Sequence, residues 1–140
     1  MSRYLLDTNI LVYMLLSETD SISNETDLII DDYNNQLFTS SISIMELVQL
    51  YNISKIKSKK FKTSHDLITA VENEYFIKIL PFTKEHSITL AKLKIASAHN
   101  DPFDHAIIAT AIKENLKLVS SDKKFYDYTA QKLLFCFNKR

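Results

Sequence analysis

Two carboxylates frame the start of a predicted helix in the second half of the chain. In Asp101-Pro102-Phe103-Asp104, Asp101 suits the helix N-cap, and Pro102 suits the first helical position, where its missing N–H costs nothing. Asp104 falls at the third helical position, close to the positive end of the helix dipole. The mostly apolar run over residues 106–112 predicts that the body of this helix is buried. Two acidic groups would therefore be anchored to the core at one place.

Three further acids each follow a predicted strand. They are Asp7 after residues 3–6, Glu46 after residues 37–40 and Asp122 after residues 116–120. In an open parallel sheet, ligands bind beyond the carboxyl ends of the strands. We therefore expect these three acids to converge on Asp104.

Strands and helices alternate along the whole chain. Short apolar runs predict strands at residues 3–6, 37–40, 76–80, 116–120 and 132–137. Apolar spacing and capping residues predict helices at residues 10–16, 21–33, 43–51, 64–75, 83–96 and 101–112. This alternation favours an α/β fold with a central parallel sheet and helices on both faces.

Each acid also has a purely structural interpretation, which we favour for any one of them taken alone. Three stand where a helix N-cap is expected: Asp7, Asp101 and Asp122. Glu46 has the capping-box spacing from Ser43, so it could serve only to start the helix at that serine. Asp104 could do no more than favour the helix dipole.

Taken together, the acids indicate a metal site. Carboxylates crowded at one edge of a sheet repel each other, and a bound cation makes such a cluster tolerable. All-oxygen ligands without thiol or imidazole suit Mg²⁺ or Mn²⁺. Such an ion can lower the pKa of a bound water and stabilise charge on phosphate oxygens. The predicted chemistry is therefore metal-assisted phosphodiester hydrolysis.

The composition narrows the class of protein. The length of 140 residues predicts a single domain over residues 1–140, and a net charge of zero predicts no general affinity for nucleic acid. The lone Cys136 excludes an internal disulfide, and the absence of glycine excludes Gly-rich phosphate loops and leaves turns to Asn, Asp and Ser. No signal peptide and no apolar run of membrane-spanning length is present, so we expect a cytoplasmic protein with no membrane partner.

Four other features have open interpretations. The lysine run over residues 55–62 could contact phosphates or be a solvated face. Residues 10–16 indicate core. In the alternative, part of this run forms an apolar groove for a partner helix together with Ile44, Leu47 and Val48. His99 and His105 flank the predicted site, and we favour a packing or surface role for both. Tyr126 and Tyr128 follow Asp122 and could stack on a base, although surface aromatics are too common to decide this.

Four segments of the chain resemble the acidic motifs of PIN-domain ribonucleases, in order and spacing. They are Leu5-Leu6-Asp7-Thr8-Asn9, Ser43-Ile44-Met45-Glu46-Leu47, Asp101-Pro102-Phe103-Asp104 with the helix after it, and Leu118-Val119-Ser120-Ser121-Asp122. Each motif alone is weakly specific, whereas all four in order over nearly the full chain are strongly specific. The chain is most similar to the VapC toxins of bacterial toxin–antitoxin modules.

The resemblance implies a three-layer α/β/α sandwich with a central parallel sheet. It implies Mg²⁺- or Mn²⁺-dependent endonucleolytic cleavage of RNA, with tRNA one candidate substrate, leaving a 5′-phosphate and a 3′-hydroxyl. It also implies a homodimer and a small antitoxin partner whose C-terminal segment covers the active-site groove.

The resemblance also implies roles for single residues. The metal-binding and catalytic acids would be Asp7, Glu46, Asp104 and Asp122. Asp101 would lie beside them, and the polar residues that orient the carboxylates would be Asn9 and Ser120. One departure is His105, which stands where these toxins often have Arg, so the phosphate or antitoxin contact of that Arg is in doubt.

Other functions compete with this interpretation. A phosphatase of the haloacid dehalogenase kind also has Asp after its first strand, but it needs a second Asp where this chain has Asn9. A catalytically silent PIN-like interaction module would be expected to have lost one or more acids, and all four are present. A PIN-family RNA-processing nuclease without an antitoxin is harder to exclude, and the small size favours the toxin.

Overall fold

The computed structural model describes all 140 residues, and its centre is one five-stranded sheet. The strands are β1 (Arg3–Leu6), β2 (Gln36–Ser40), β3 (Lys78–Leu80), β4 (Lys117–Ser120) and β5 (Leu134–Phe137). All neighbouring strands are parallel, in the order β3-β2-β1-β4-β5. β1 is therefore central, with Leu5 opposite Phe38 of β2 and Leu118 of β4.

Helices cover both faces of the sheet, which confirms the predicted three-layer α/β/α sandwich. They are α1 (Thr8–Leu15), α2 (Asn24–Asp31), α3 (Ser41–Asn52), α4 (Ser64–Asn73), α5 (Lys84–Lys92) and α6 (Pro102–Glu114). Two 3₁₀ helices span Thr19–Ser21 and Lys123–Gln131, and the second is called here the C-terminal 3₁₀ helix. No helix combines the length and the apolar character that crossing a membrane requires.

The central strand is buried on both faces because its side chains alternate between two cores. Tyr4 and Leu6 pack into the core that contains α1 and α4. Leu5 packs into the second core, where Ile107 and Ile108 of α6 cover the opposite face. This is the arrangement that the short, fully apolar run at residues 3–6 predicts.

The predicted helix over residues 21–33 is wrong in its bounds and in part of its apolar face. The chain forms the short 3₁₀ helix first, and α2 begins only after Ser23, whose Oγ accepts a hydrogen bond from the Thr26 N–H at 3.2 Å. The apolar spacing predicts a buried face that includes Leu28 and Tyr33, yet both are exposed. Ile29 and Ile30 do pack against the first core. The helix is too short to bury the whole apolar set.

Several other predicted elements are shorter in the structure, among them the third strand and the helix that follows it. The third strand starts at Lys78 instead of residue 76, because Phe76 has a left-handed backbone (φ 55°) that cannot continue a strand. The helix predicted over residues 83–96 ends at Lys92, and Ile95 beyond it is exposed. In both cases an apolar residue that extends the sequence pattern lies outside the regular element.

A chain without glycine still needs left-handed turns. The residues with positive φ are Ser17, Ser54, Phe76, Ala98, Asn115 and Lys132. Ser17, Ser54 and Asn115 are of the types expected to form turns. The other three are not, so the expectation that turns depend on Asn, Asp and Ser is only partly correct.

Candidate active site

Asp7 lies directly after β1 and serves two structural purposes at once. Its Oδ1 accepts a hydrogen bond from the Thr8 N–H at 2.8 Å, so it caps α1. Its Oδ2 accepts one from the Ser120 hydroxyl at 2.6 Å and one from the Asn9 amide at 3.4 Å. The side chain is only 5% exposed, and this burial raises the pKa of Asp7 to about 7, against the lowering effect of the Ser120 and Thr8 hydrogen bonds.

The Ser120 hydroxyl connects the ends of β1 and β4. While it donates to Asp7, it accepts hydrogen bonds from the Asn9 amide and from the Asp122 N–H, both at 3.1 Å. The Asn9 Oδ1 in turn accepts from the Ser121 N–H at 3.3 Å. The two strand ends are therefore held together by hydrogen bonds among Asp7, Asn9 and Ser120. Asp122 is the N-cap of the C-terminal 3₁₀ helix.

Glu46 lies in the second turn of α3, one turn later than predicted. The capping box with Ser43 is wrong: Ser40 is the N-cap, and its Oγ accepts a hydrogen bond from the Ile42 N–H at 3.0 Å. Ser43 is buried inside the helix, and its hydroxyl has no hydrogen-bond partner. The Glu46 carboxyl is consequently not needed for capping.

The Glu46 carboxyl and the Thr8 hydroxyl face the same cleft. Burial raises the pKa of Glu46, and the negative charges of Asp101 and Asp104 add to this effect, while the neighbouring Thr8 hydroxyl opposes it. The two groups lie near each other without hydrogen-bond geometry, and the buried Thr8 Oγ1 has no partner. Buried hydroxyls usually have a hydrogen-bond partner, so the unpartnered Thr8 hydroxyl leaves an unsatisfied polar group in a residue that lines this cleft.

Asp101 and Asp104 lie at the N-terminus of α6, as predicted. Asp101 is the N-cap, and its Oδ1 accepts from the Phe103 N–H at 2.9 Å. Asp104 is half-buried in the first turn, and its Oδ2 lies 3.0 Å from the His99 Nε2. Burial raises the pKa of Asp104, as do the charges of Asp101 and Asp122, while the hydrogen bond from His99 lowers it.

The contact between His99 and Asp104 was not predicted from the sequence. His99 is 2% exposed, consistent with a packing role, yet both ring nitrogens are hydrogen-bonded. His105 contacts the backbone, because its Nε2 lies 2.8 Å from the His99 carbonyl oxygen. The only sequence signal was that His99 closely precedes the helix start that holds Asp104.

All five acids line one open cleft of about 330 Å³ at the carboxyl edge of the sheet. They are Asp7, Glu46, Asp101, Asp104 and Asp122. Thr8 and Asn9 complete the polar lining, and the apolar wall consists of Val12, Tyr13, Leu50 and Ile56. Leu11 and Leu47 are buried in the core, so they cannot belong to the partner groove that we considered as the alternative.

The donor set of this cleft fits a hydrated Mg²⁺ or Mn²⁺ ion. The acidic side chains offer hard carboxylate oxygens, and no thiol or imidazole lines the cleft. No group of three Asp, Glu, His or Cys side chains is arranged to hold one ion. Because Mg²⁺ retains several waters and takes only one or two protein carboxylates, the spread of the acids matches this ion better than a fully protein-ligated one.

The lysine run borders the cleft. Ile56, within the lysine run, lines it, and Lys57, Lys59 and Lys60 line a separate pocket of about 240 Å³. Lys60 forms an ion pair with Glu74. Of the two tyrosines, Tyr126 is half-exposed, whereas Tyr128 is buried and cannot stack on a base.

The PIN domain family matches residues 4–131, and the chain therefore belongs to the PIN-domain family. Among solved structures, it is similar to a chain of VapBC2 from Rickettsia felis bound to a DNA fragment from their promoter. The two are 27% identical, the TM-score is 0.68, and the match covers 98% of this chain and 99% of that one.

Two more distant structures share the fold. For DNA-bound VapBC from Salmonella typhimurium the identity is 20%, the TM-score 0.65 and the coverage 98% of both chains. For VapBC-5 from Mycobacterium tuberculosis, a member of the VapBC family of toxin-antitoxin systems, the identity is 15%, the TM-score 0.61 and the coverage 100% of both. No curated protein matches the chain in sequence.

Proposed function

We propose that this PIN-domain protein is a Mg²⁺- or Mn²⁺-dependent endoribonuclease. The observation that carries the proposal is the single cleft lined by five carboxylates from four separate parts of the chain. Burying Asp7 and crowding it with Glu46 and Asp104 is unfavourable for the apoprotein, as the raised pKa of Asp7 shows. Such an arrangement is explained if a cation binds there during function.

In this proposal Asp7 and Asp104 would hold the ion, partly through water, and Glu46 and Asp122 would complete the set of acids around it. The ion, when bound, would lower the pKa of a water molecule and stabilise negative charge on the phosphate. Ser120 and Asn9 fix the Asp7 carboxylate by hydrogen bonds from the adjacent strand end. Either Glu46 or Asp122 orients or deprotonates the attacking water.

We further propose that the protein is the toxin of a toxin–antitoxin pair, acting in the cytoplasm as a homodimer. Its similarity over the full chain to VapBC structures, including a member of a family of toxin-antitoxin systems, supports this role. A small antitoxin would lie over the cleft and block access to the carboxylates. The substrate would be RNA, with tRNA as one candidate.

The site is tested by changing Asp7→Asn and Asp104→Asn separately and measuring RNA cleavage with Mg²⁺, with Mn²⁺ and with EDTA. Removing one charged contact to the reacting centre is expected to reduce cleavage by about 100-fold or more. Asp127→Asn is the matched control, since Asp127 is an exposed acid of the C-terminal 3₁₀ helix. Undiminished cleavage by either site variant would contradict the assignment.

The biological role is tested separately, by inducing the wild type and Asp7→Asn in a bacterial host. Growth arrest with RNA degradation is expected only for the wild type. A short neighbouring reading frame whose product relieves the arrest would identify the antitoxin. If the wild-type protein cuts RNA in vitro but leaves growth unaffected, an RNA-processing nuclease without an antitoxin explains the data better.

A further inference from the structure

A buried chain of hydrogen bonds runs from the C-terminal 3₁₀ helix to Asp104. The Tyr128 hydroxyl lies 2.7 Å from the His99 Nδ1, and the His99 Nε2 lies 3.0 Å from the Asp104 Oδ2. Tyr128 is fully buried and His99 is 2% exposed. The capping of α6 does not use these hydrogen bonds, and neither do the other residues that line the carboxylate cleft.

With Asp104 ionised, and so able only to accept, the partners assign a direction to this series of hydrogen bonds. The Tyr128 hydroxyl oxygen accepts the Ala96 N–H at 3.1 Å, so its own proton is free to be donated to the His99 Nδ1. In the neutral ring, Nδ1 is then the acceptor and Nε2 carries the proton. The Nε2–H therefore donates to the Asp104 Oδ2.

The loop that carries His99 is clamped on both sides. Its first part is tied to the C-terminal 3₁₀ helix, since the Gln131 side chain accepts from the Lys94 N–H and donates to the Lys94 carbonyl, both at 2.9 Å. Its last part is tied to α6, since the His105 Nε2 lies 2.8 Å from the His99 carbonyl oxygen. Two rings also pack on the His99 imidazole. The ring centroid of His105, in edge contact, lies 4.9 Å from that of His99, and the ring centroid of Tyr128 lies 5.4 Å from it. The imidazole is therefore held in place.

We propose that His99, oriented by Tyr128, is a positioning residue that aims the Asp104 carboxylate at the metal ion. The inference rests on the proposed function. His99 occupies Oδ2 of Asp104, while Oδ1 receives no hydrogen bond from the protein and is left for the cleft. A donor of this kind restricts rotation of a carboxylate and so lowers the cost of ordering it when an ion binds.

The protein contains a matched control at the other end of α6. His86 is 1% exposed, its Nδ1 accepts the Thr83 N–H at 3.0 Å, and its Nε2 lies 3.0 Å from the Glu114 Oε1. The tautomer and the carboxylate contact are thus the same as for His99. Glu114 is ten residues from Asp104, about 15 Å along the helix axis, and does not line the cleft. Breaking this pair tests the loss of a buried His–carboxylate contact by itself.

The experiment is a calorimetric titration of metal-free protein with Mn²⁺. His99→Leu is expected to weaken Mn²⁺ affinity by about 10- to 100-fold, the usual effect of removing a hydrogen bond to a metal ligand. His99→Gln is expected to restore most of the affinity, because its amide can still donate to Asp104. The Mn²⁺ affinity of Tyr128→Phe is expected to lie between the affinities of these two variants. His86→Leu is expected to lower the unfolding temperature while leaving Mn²⁺ affinity unchanged.

A second measurement needs neither metal nor substrate. Nitrogen NMR of the histidine rings in the metal-free protein should show the Nε2–H tautomer for His99 in the wild type and a loss of this preference in Tyr128→Phe. A wild-type Nδ1–H tautomer overturns the inference.

The outcomes separate the inference from the proposed function. A His99→Leu protein that binds Mn²⁺ as tightly as a wild type active on RNA overturns the positioning role alone. So does an equal loss of affinity in His86→Leu. A wild type that neither binds Mn²⁺ nor cleaves RNA contradicts the proposed function, and the inference fails with it.

Discussion

Asp7 combines a structural contact with an unfavourable environment. Its carboxylate caps α1 and accepts from Ser120, and both contacts favour the ionised form. Burial outweighs them, so the pKa is raised to about 7. The fold therefore accepts a destabilising carboxylate at the cleft, as is common at functional sites.

This environment predicts that stability depends on pH through Asp7. Between its ordinary pKa of 3.8 and the folded value of about 7, the unfolded chain has lost the Asp7 proton while the folded protein retains it. The free energy of unfolding therefore falls as pH rises through this window and levels off above it. Asp7→Asn, which has no charge to bury and can still cap α1, should be more stable than the wild type at pH 8 and gain less at pH 5.

The measurement is denaturant unfolding of both proteins in EDTA at the two pH values. Asp127→Asn, which changes an exposed carboxyl, should show no such pH-dependent gain. An equal difference between Asp7→Asn and the wild type at both pH values would contradict the buried-charge explanation.

At the scale of elements, α3 contains two serines that both suit a helix N-cap by local sequence, but only one of them has that role. Both Ser40 and Ser43 are suited to start a helix, and Ser43 has the better sequence pattern because Glu46 follows at the capping-box distance. The helix starts at Ser40 instead, directly where β2 ends. This start leaves Ser43 buried without a partner and turns Glu46 toward the cleft.

The two serines should therefore respond oppositely to alanine. Ser40→Ala removes the cap and is expected to lower the free energy of unfolding by about 1 kcal/mol. Ser43→Ala removes an unpaired buried hydroxyl and replaces it with the best helix former, so it should be neutral or stabilising by up to about 1 kcal/mol. Denaturant unfolding of the two variants measures this. A larger loss of unfolding free energy in Ser43→Ala than in Ser40→Ala would favour Ser43 as the capping residue.

At the scale of the whole molecule, the zero net charge hides a separation of charge. Five of the 17 acidic residues line the cleft, and an exposed run of lysines follows α3 and borders the cleft through Ile56. Since Lys60 is paired with Glu74, the lysines free to meet a phosphate backbone include Lys57 and Lys59 of the neighbouring pocket. These lysines could thus attract the phosphates of an RNA strand that crosses the cleft, whereas the acids of the cleft repel them.

Reversing Lys57 and Lys59 to glutamate is expected to weaken RNA binding and to flatten its salt dependence, by about 0.7 in the log–log slope for each lost phosphate contact. The control reverses the exposed Lys78 and Lys113, which lie at the start of β3 and near the end of α6. Binding is measured by fluorescence anisotropy over a range of salt, using the inactive Asp104→Asn background. An unchanged slope would show that the lysine run is a solvated face.

Local rules were sufficient for the architecture and for the helix start at Asp101. Apolar runs, capping residues and the alternation of elements need only neighbouring residues, and they predicted the parallel α/β/α sandwich and the acids that meet at its edge. Features that depend on distant contacts could not be found in this way. Ser120 reaches Asp7 across 113 positions, and Tyr128 reaches His99 across 29. The start of α3 and the left-handed Phe76 also depended on the tertiary structure. Either of two serines could start the helix, and local preference disfavours a positive φ in Phe, so packing decided both features.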